Sequence, residues 1–393
     1  MANVSFDETC RVLGIPKEIQ RSYEKKGLKS LYEWQVECLN DTGALKGNNV
    51  VYCAPTGGGK TLVAELVILK TACALRKKCL FVLPFVSLVL EKHAEIQKLL
   101  HIYNRSKPKN ERIRVKAFHG ESKFSRKLPE DILICTIEKA NAVINTLISS
   151  GQIFQLGCVV VDEMHVIGDA SRGYNLEILI SKLQYLQLKA AAVNKQLQIQ
   201  VVALSATISN LPALAEWFKA ILYQTTFRPV PLQENIVSSN FVFNSTNCQQ
   251  SRPLLSINSV ISATSNQQQT KKLISTFSEE MQQILLLCIE GLRNKQQIII
   301  FCTSRNQCQT TAKLLSDILS TVITHMNDTD VEELLERRMC TSDRIHIDKS
   351  ASLAALDGEL SSKMTDSPES VLRKSILAGV AFHHAGIMVT IIE

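Results

Sequence analysis

The run Ala54-Pro55-Thr56-Gly57-Gly58-Gly59-Lys60-Thr61 joins flexible backbone to one cation and one hydroxyl, the set needed to hold a polyphosphate. Glycines let backbone N–H groups close around phosphate oxygens, and a helix that starts just after them adds the positive end of its dipole. The pattern A-x-x-x-x-G-K-T fits a P-loop in which Ala54 replaces the usual first glycine. Pro55, Thr56, Gly57, Gly58 and Gly59 then line the cradle, Lys60 reaches the β- and γ-phosphates of a nucleotide, and Thr61 holds Mg²⁺. A second cluster, CVVVDEMH, brings Asp162 and Glu163 to the end of an apolar run, with His165 close behind. Asp162 suits the same Mg²⁺, and Glu163 suits the orientation and deprotonation of an attacking water. Acidic residues after a strand also serve as helix caps, and a P-loop alone leaves kinases, GTPases, transporters and motor ATPases open.

These residues need a frame. Short apolar runs at 49–53, 78–83, 114–118, 131–136, 158–162 and 200–205 read as buried strands. Between them, TLVAELVILKTACALRK, SLVLEKHAEIQKLL, EKANAVINTLISS and NLEILISKLQYLQL space apolar residues as helices do. Strands alternating with helices predict an α/β fold with a parallel sheet and active loops at the strands' carboxyl ends. From residue 229 the texture turns polar and Gln-rich, predicting a connection with one short strand pair. QQIIIFCTS (296–304) predicts a first strand of a second α/β domain, and 321–370 shows weak helical patterning.

With 393 residues, two domains are the expectation. No apolar run reaches the roughly 18–20 residues of a membrane span, and the start lacks the order of a signal peptide, so a soluble, intracellular protein is expected, without membrane. The twelve cysteines lie singly and without zinc-ligand spacing, which predicts packing roles for Cys79, Cys135 and Cys302. A net charge of +7 fits a nucleic-acid binder. Much of that charge is local, because 101–130 holds nine Lys or Arg against three Glu. A solvated surface loop is the plain alternative for that segment.

Taken in order, APTGGGKT, DEMH and LSAT (204–207) resemble motifs I, II and III of superfamily 2 helicases. LYEWQVECL, TIEKAN, DEMHVIGDASRGYNLE and FRPVPL resemble the branch containing the helicase domain of DNA polymerase theta and its stand-alone helicase relative. The resemblance implies tandem RecA-like domains: a helical lead-in at 1–32, an ATP-binding domain at 33–228, a connection at 229–272 and a partial second domain at 273–393. It assigns Gln35 to the adenine edge, and gives His165, Ser205 and Thr207 the task of linking the nucleotide site to nucleic acid. Contacts to the backbone of one strand are implied for Pro84, Phe85, Gly120, Thr136 and Lys139. In the second domain Thr303, Ser304, Arg305, His383, His384 and Gly386 match further strand or cleft motifs. The activity implied is ATP-dependent 3′ to 5′ movement on single-stranded or forked DNA, with closure of two domains on ATP, work in DNA repair and a nuclear location. An RNA helicase of the same superfamily, and a module that binds ATP and nucleic acid without turnover, are the competing readings.

The resemblance also implies that the family continues beyond HHAGIMVTIIE, through later strands, an arginine-bearing motif and strand-separating domains. A carboxyl-truncated chain that binds ATP and nucleic acid but unwinds poorly is therefore expected.

Overall fold

The computed structural model describes residues 4–120, 122, 125–194, 196–206, 210–262, 267–294, 296–323, 375, 380 and 381. They fall into two compact units, 1–232 and 233–393. The first opens with β1 (Val4–Ser5), α1 (Phe6–Leu13), α2 (Lys17–Lys25), β2 (Ser30–Leu31) and α3 (Glu33–Asp41). Phe6, Cys10, Leu13, Ile19 and Tyr23 from this lead-in are buried in one cluster with the main sheet's residues, so it is part of the core.

The sheet contains β3 (Val50–Cys53), β4 (Lys78–Leu83), β5 (Val115–Phe118), β6 (Ile132–Thr136), β7 (Leu156–Val161), β8 (Gln200–Ser205) and β9 (Ile221–Gln224). Its order is β5-β6-β4-β7-β8-β3-β9, and every pairing is parallel. The connecting helices are α4 (Lys60–Leu69), α5 (Val86–Ser106), α6 (Ile137–Ser149), α7 (Gly173–Ala192) and α8 (Leu211–Trp217). Central strands β3, β4 and β6 are buried along their whole length because helices cover both faces, as the continuous apolar runs require. The two faces carry separate clusters. Val50, Tyr52, Phe81 and Ile134 share one with α4 and α5, while Val51, Leu80, Val82 and Leu133 share the other with α6 and α7. The α/β expectation holds, and six of the seven sheet strands lie where the apolar runs place them. The edge strand β9 has an exposed-to-intermediate pattern and gives no such run.

The second unit differs from expectation. Its β strands, β10 (Asn235–Ser238), β11 (Phe241–Asn244) and β12 (Gln250–Pro253), form an antiparallel meander of three strands rather than one pair. Helices α9 (Ile257–Ser262), α10 (Gln267–Ile274), α11 (Glu279–Arg293) and α12 (Arg305–Ile323) follow. The strand expected at 296–304 is not formed: among the described residues it has no partner, and Ile299 and Phe301 are 81% and 93% exposed. An apolar run becomes a strand only when a neighbour accepts its backbone hydrogen bonds. Cys302 is accordingly only half-buried, whereas Cys79 and Cys135 are fully buried. The weakly helical stretch expected at 321–370 lies mostly outside the described residues.

Candidate nucleotide and nucleic-acid site

Because all seven strands point the same way, their carboxyl ends form one rim, and the candidate residues occupy it in two groups. β3, β8 and β7 deliver Ala54–Thr61, Ser205 and the Asp162–Glu163 pair. β4, β6 and β5 deliver Pro84 and Phe85, Thr136 and Lys139, and Gly120. Sheet order alone therefore places the nucleotide candidates beside the nucleic-acid candidates.

At β3 the chain leaves Cys53, passes through the glycine loop and enters α4 at Lys60. Gly57 and Gly59 have φ of +77° and +83°, the left-handed region that side chains avoid. A Cβ on Gly59 would also lie 2.7 Å from Gln35 Nε2. Lys60 is buried, and its Nζ donates to the Ala54 and Pro55 carbonyls at 2.9 and 3.2 Å. The loop's own carbonyl oxygens thus hold the ammonium within the loop. Gln35 is 2% exposed, accepts from Tyr32 N–H at 2.9 Å and donates to the Gly59 carbonyl at 2.9 Å. It braces the glycine loop, a tie that spacing in the sequence does not reveal.

Across the rim, burial pushes Asp162 up to about 6, against a stabilising bond from Glu163 N–H at 2.8 Å and the pull of Lys60 and Lys92. Repulsion from Glu163 adds to the rise. Glu163 itself sits at φ +49°, a strained setting for a side-chain-bearing residue at the strand end. Its Oε2 is buried with no hydrogen bond among the described residues; His165 Nδ1 is 3.2 Å away but not aligned for one. His165 Nδ1 is also 3.4 Å from the Ser205 hydroxyl. Ser205 O accepts from Ala54 N–H at 3.4 Å, which brings the chain of neighbours back to the glycine loop. A carboxylate pair with one oxygen left without a hydrogen bond among the described residues, on the same rim as a glycine loop and its lysine, fits a nucleotide with a divalent cation. Thr61 stands in the first turn of α4, beside Lys60. Thr207 lies outside the described residues.

The DEAD/DEAH box helicase family matches residues 32–214, the span that holds both rim groups. Residues 32–214 are a DEAD/DEAH box helicase domain. The chain is 34% identical to DNA polymerase theta of Mus musculus over 98% of its own length and 14% of that protein's. It is 28% identical to the Helicase POLQ-like protein of Homo sapiens, over 95% of the chain and 30% of that protein. Against the ATP-dependent DNA helicase Hel308 of Thermoplasma volcanium the identity is 28%, over 87% of the chain and 39% of that protein. The chain thus spans less than half the length of each of these relatives. In fold it is similar to the DUF1998 helicase MrfA, with a TM-score of 0.54 at 19% identity, covering 84% of the chain and 45% of that structure.

The helicase domain also contains a residue that the motifs did not single out. Arg172, just before α7, donates from Nε to Glu138 at 2.7 Å and from its terminal nitrogen to the Pro84 carbonyl. Its guanidinium lies 5.6 Å from the centre of the Phe85 ring, which is 58% exposed. One side chain therefore ties together the loops after β4 and β6. Burial alone would raise Glu138, but its own backbone N–H, Arg172 and Thr136 outweigh this and hold the carboxylate below its usual range. The sequence signal was Gly173: a Cβ there would meet the Ile167 carbonyl oxygen at 2.1 Å, so the Arg-Gly turn admits no other residue type without movement. Thr136 is buried at the start of α6, and Gly120 lies in an exposed turn with φ +49°.

Outside the helicase domain, Thr303 and Ser304 cap α12. Thr303 donates to Gln307 Oε1 from N–H at 2.9 Å and hydroxyl at 2.6 Å, and Ser304 Oγ accepts from Gln307 N–H at 3.2 Å. Arg305 is exposed at the first position of that helix. His383, His384 and Gly386 lie outside the described residues. No helix among the described residues is long and apolar enough to cross a membrane.

Proposed function

We propose that the chain is the ATP-driven motor portion of a DNA helicase, moving 3′ to 5′ on single-stranded or forked DNA during DNA repair in the nucleus. The observation that carries this reading is the continuous set of neighbours Lys60–Ala54–Ser205–His165–Glu163, on the same rim as the loops joined by Arg172. The glycine loop acts as a P-loop: Ala54 to Thr61 hold the phosphates, while Thr61 and Asp162 hold Mg²⁺. Gln35 keeps an adenine-edge role through the bonding positions its amide has left. When bound, ATP supplies the phosphoryl group whose hydrolysis drives the motor, with Mg²⁺ neutralising its charge.

Glu163 Oε2 accepts the proton of the attacking water, and the carboxylate's strained backbone sets its approach. His165 Nδ1, between that oxygen and Ser205 Oγ, responds to the charge on Glu163 and passes the change to β8. The loops that carry Pro84, Phe85, Gly120, Thr136 and Lys139 touch the phosphate backbone of one strand, which gives weak sequence preference and salt-sensitive binding. In the division we favour, 33–228 is the ATP-binding domain, 229–272 the connection and 273–393 part of a second RecA-like domain carrying the Thr303 and Arg305 contacts. Kinship with proteins named DNA polymerase theta and DNA helicase supports DNA over RNA as the track. Lys60→Ala should abolish DNA-stimulated ATP hydrolysis while leaving DNA affinity within about twofold, because the strand contacts are on other loops. Undiminished hydrolysis in that variant overturns the assignment.

A further inference from the structure

The opposite end of the sheet carries a second cationic feature that the motor reading does not use. A cleft of about 210 Å³ is lined by Arg76, Lys109, Asn110, Arg112, Arg114 and Asp131, among others. Arg76 precedes β4, Lys109 to Arg114 precede β5, and Asp131 precedes β6, so the cleft lies at the amino-terminal ends of these parallel strands. The nucleotide and strand-gripping loops are at the other ends, about 20 Å away along a six-residue strand such as β4.

Two of the guanidiniums here, those of Arg76 and Arg112, are held in place without being neutralised. Arg76 donates to the Glu111 carbonyl at 3.0 Å and the Tyr103 hydroxyl at 3.1 Å, and Arg112 donates to the Lys107 carbonyl at 3.1 Å. These acceptors are neutral, so they order the guanidiniums and leave their charge in place. Lys107 Nζ lies 5.6 Å from the Tyr103 ring centre, another neutral partner. The lining carboxylate, Asp131, is already taken: it accepts from Arg114 N–H at 2.8 Å and stands 3.8 Å from Arg114 Nε. Arg76 adopts φ +53°, a costly backbone for an arginine, and this setting brings its side chain to the α5–β5 loop.

We propose that this cleft is a second docking site for the phosphate backbone of the DNA, reached by the strand after it leaves the motor rim. The proposal rests on the DNA-motor reading above. Ordered cations with neutral anchors suit a chain of phosphates, whose negative charge repeats along the strand. Because the cleft is a sheet's height from the rim, a long strand reaches it and a short one held at the rim does not.

The test uses the full chain with Lys109→Gln and Arg112→Gln together, and Arg112→Lys as a charge-retaining control. DNA binding is followed by fluorescence anisotropy across a salt series, with single strands of about 6 and about 30 nucleotides. Removing two phosphate contacts should make the slope of log affinity against log salt shallower by about 1.5 for the long strand, and weaken it about tenfold at low salt. The short strand, ATPase stimulated by it, and Arg112→Lys should behave as wild type. An unchanged slope for the long strand in the double variant overturns the proposal while the motor reading stands. A wild-type chain that binds neither strand overturns both. Titration with inorganic phosphate separates a single-ion site: phosphate binding lost in the variant, with the DNA slope unchanged, makes the cleft an anion site and no DNA track.

Discussion

Asp162 shows how a single residue links structure to pH. Its folded carboxyl titrates near 6, above the ordinary value of 3.8, so the folded chain binds this proton more tightly than the unfolded chain does. The stabilisation from that proton is therefore complete below pH 3.8 and lost as the pH rises through about 6. At neutral pH the buried charge is a cost that a bound divalent cation would offset. Mg²⁺ affinity for the nucleotide-bound chain should fall about tenfold for each pH unit below 6, since the cation needs the ionised carboxylate. Mg²⁺ titrations at several pH values check this, and an affinity that stays flat into the acid range removes Asp162 from the cation site. Asp162→Asn should weaken Mg²⁺ binding at neutral pH and flatten that dependence.

At the scale of elements, Arg172 is a cross-brace between two strand-to-helix loops. The Arg172 and Glu138 side chains are 27% and 48% exposed, so solvent screens their pair to about 0.5–1 kcal/mol, and the Phe85 contact adds a similar amount. Arg172→Ala should weaken single-strand binding about three- to tenfold and leave nucleotide affinity unchanged, because the glycine loop is on other strands. Arg172→Lys should rescue little, since an ammonium lacks the planar fork that bonds Glu138 and Pro84 together beside the Phe85 ring. Equal losses of DNA and nucleotide binding would instead mark Arg172 as a general support of the fold. A second brace joins the lead-in to the helix after the glycine loop: Tyr23 OH donates to Glu65 on α4 at 2.8 Å, and Glu65 pairs with Lys92 on α5 at 2.8 Å.

For the molecule as a whole, the division into two units carries a separate expectation. The two apolar clusters of the first unit draw on residues up to Phe227 and Leu222, and the second unit's cluster runs from Val237 onward. No buried cluster is shared among the described residues, so the fragment 1–232 should fold alone with one cooperative transition. It should also bind an ATP analogue, because the glycine loop, Gln35, Asp162 and Glu163 all lie within it. Calorimetric titration of the fragment checks both points, and a folded fragment without nucleotide affinity would show that the second unit completes the site.

Local chemistry made much of this legible in advance. Gly57, Gly59, Lys60 and the Asp162–Glu163 pair stand out as candidates because phosphate binding demands particular residue types at fixed spacing, and β3, β4, β6, β7 and β8 announce themselves because strands buried on both faces must be apolar throughout. The failed strand at 296–304 marks the limit of that logic, since an apolar run records a tendency to be buried but not the partner that makes it a strand. What only the tertiary structure decided were relations between segments far apart in the chain: the order that seats β8 between β3 and β7, the grip of Gln35 on Gly59, and the reach of Arg172 to Pro84. The cationic cleft belongs with them, because its residues come from three separate loops. Spacing along a sequence encodes contacts within one turn or strand; contacts across a sheet depend on how the strands are ordered, which is set by burying both faces at once.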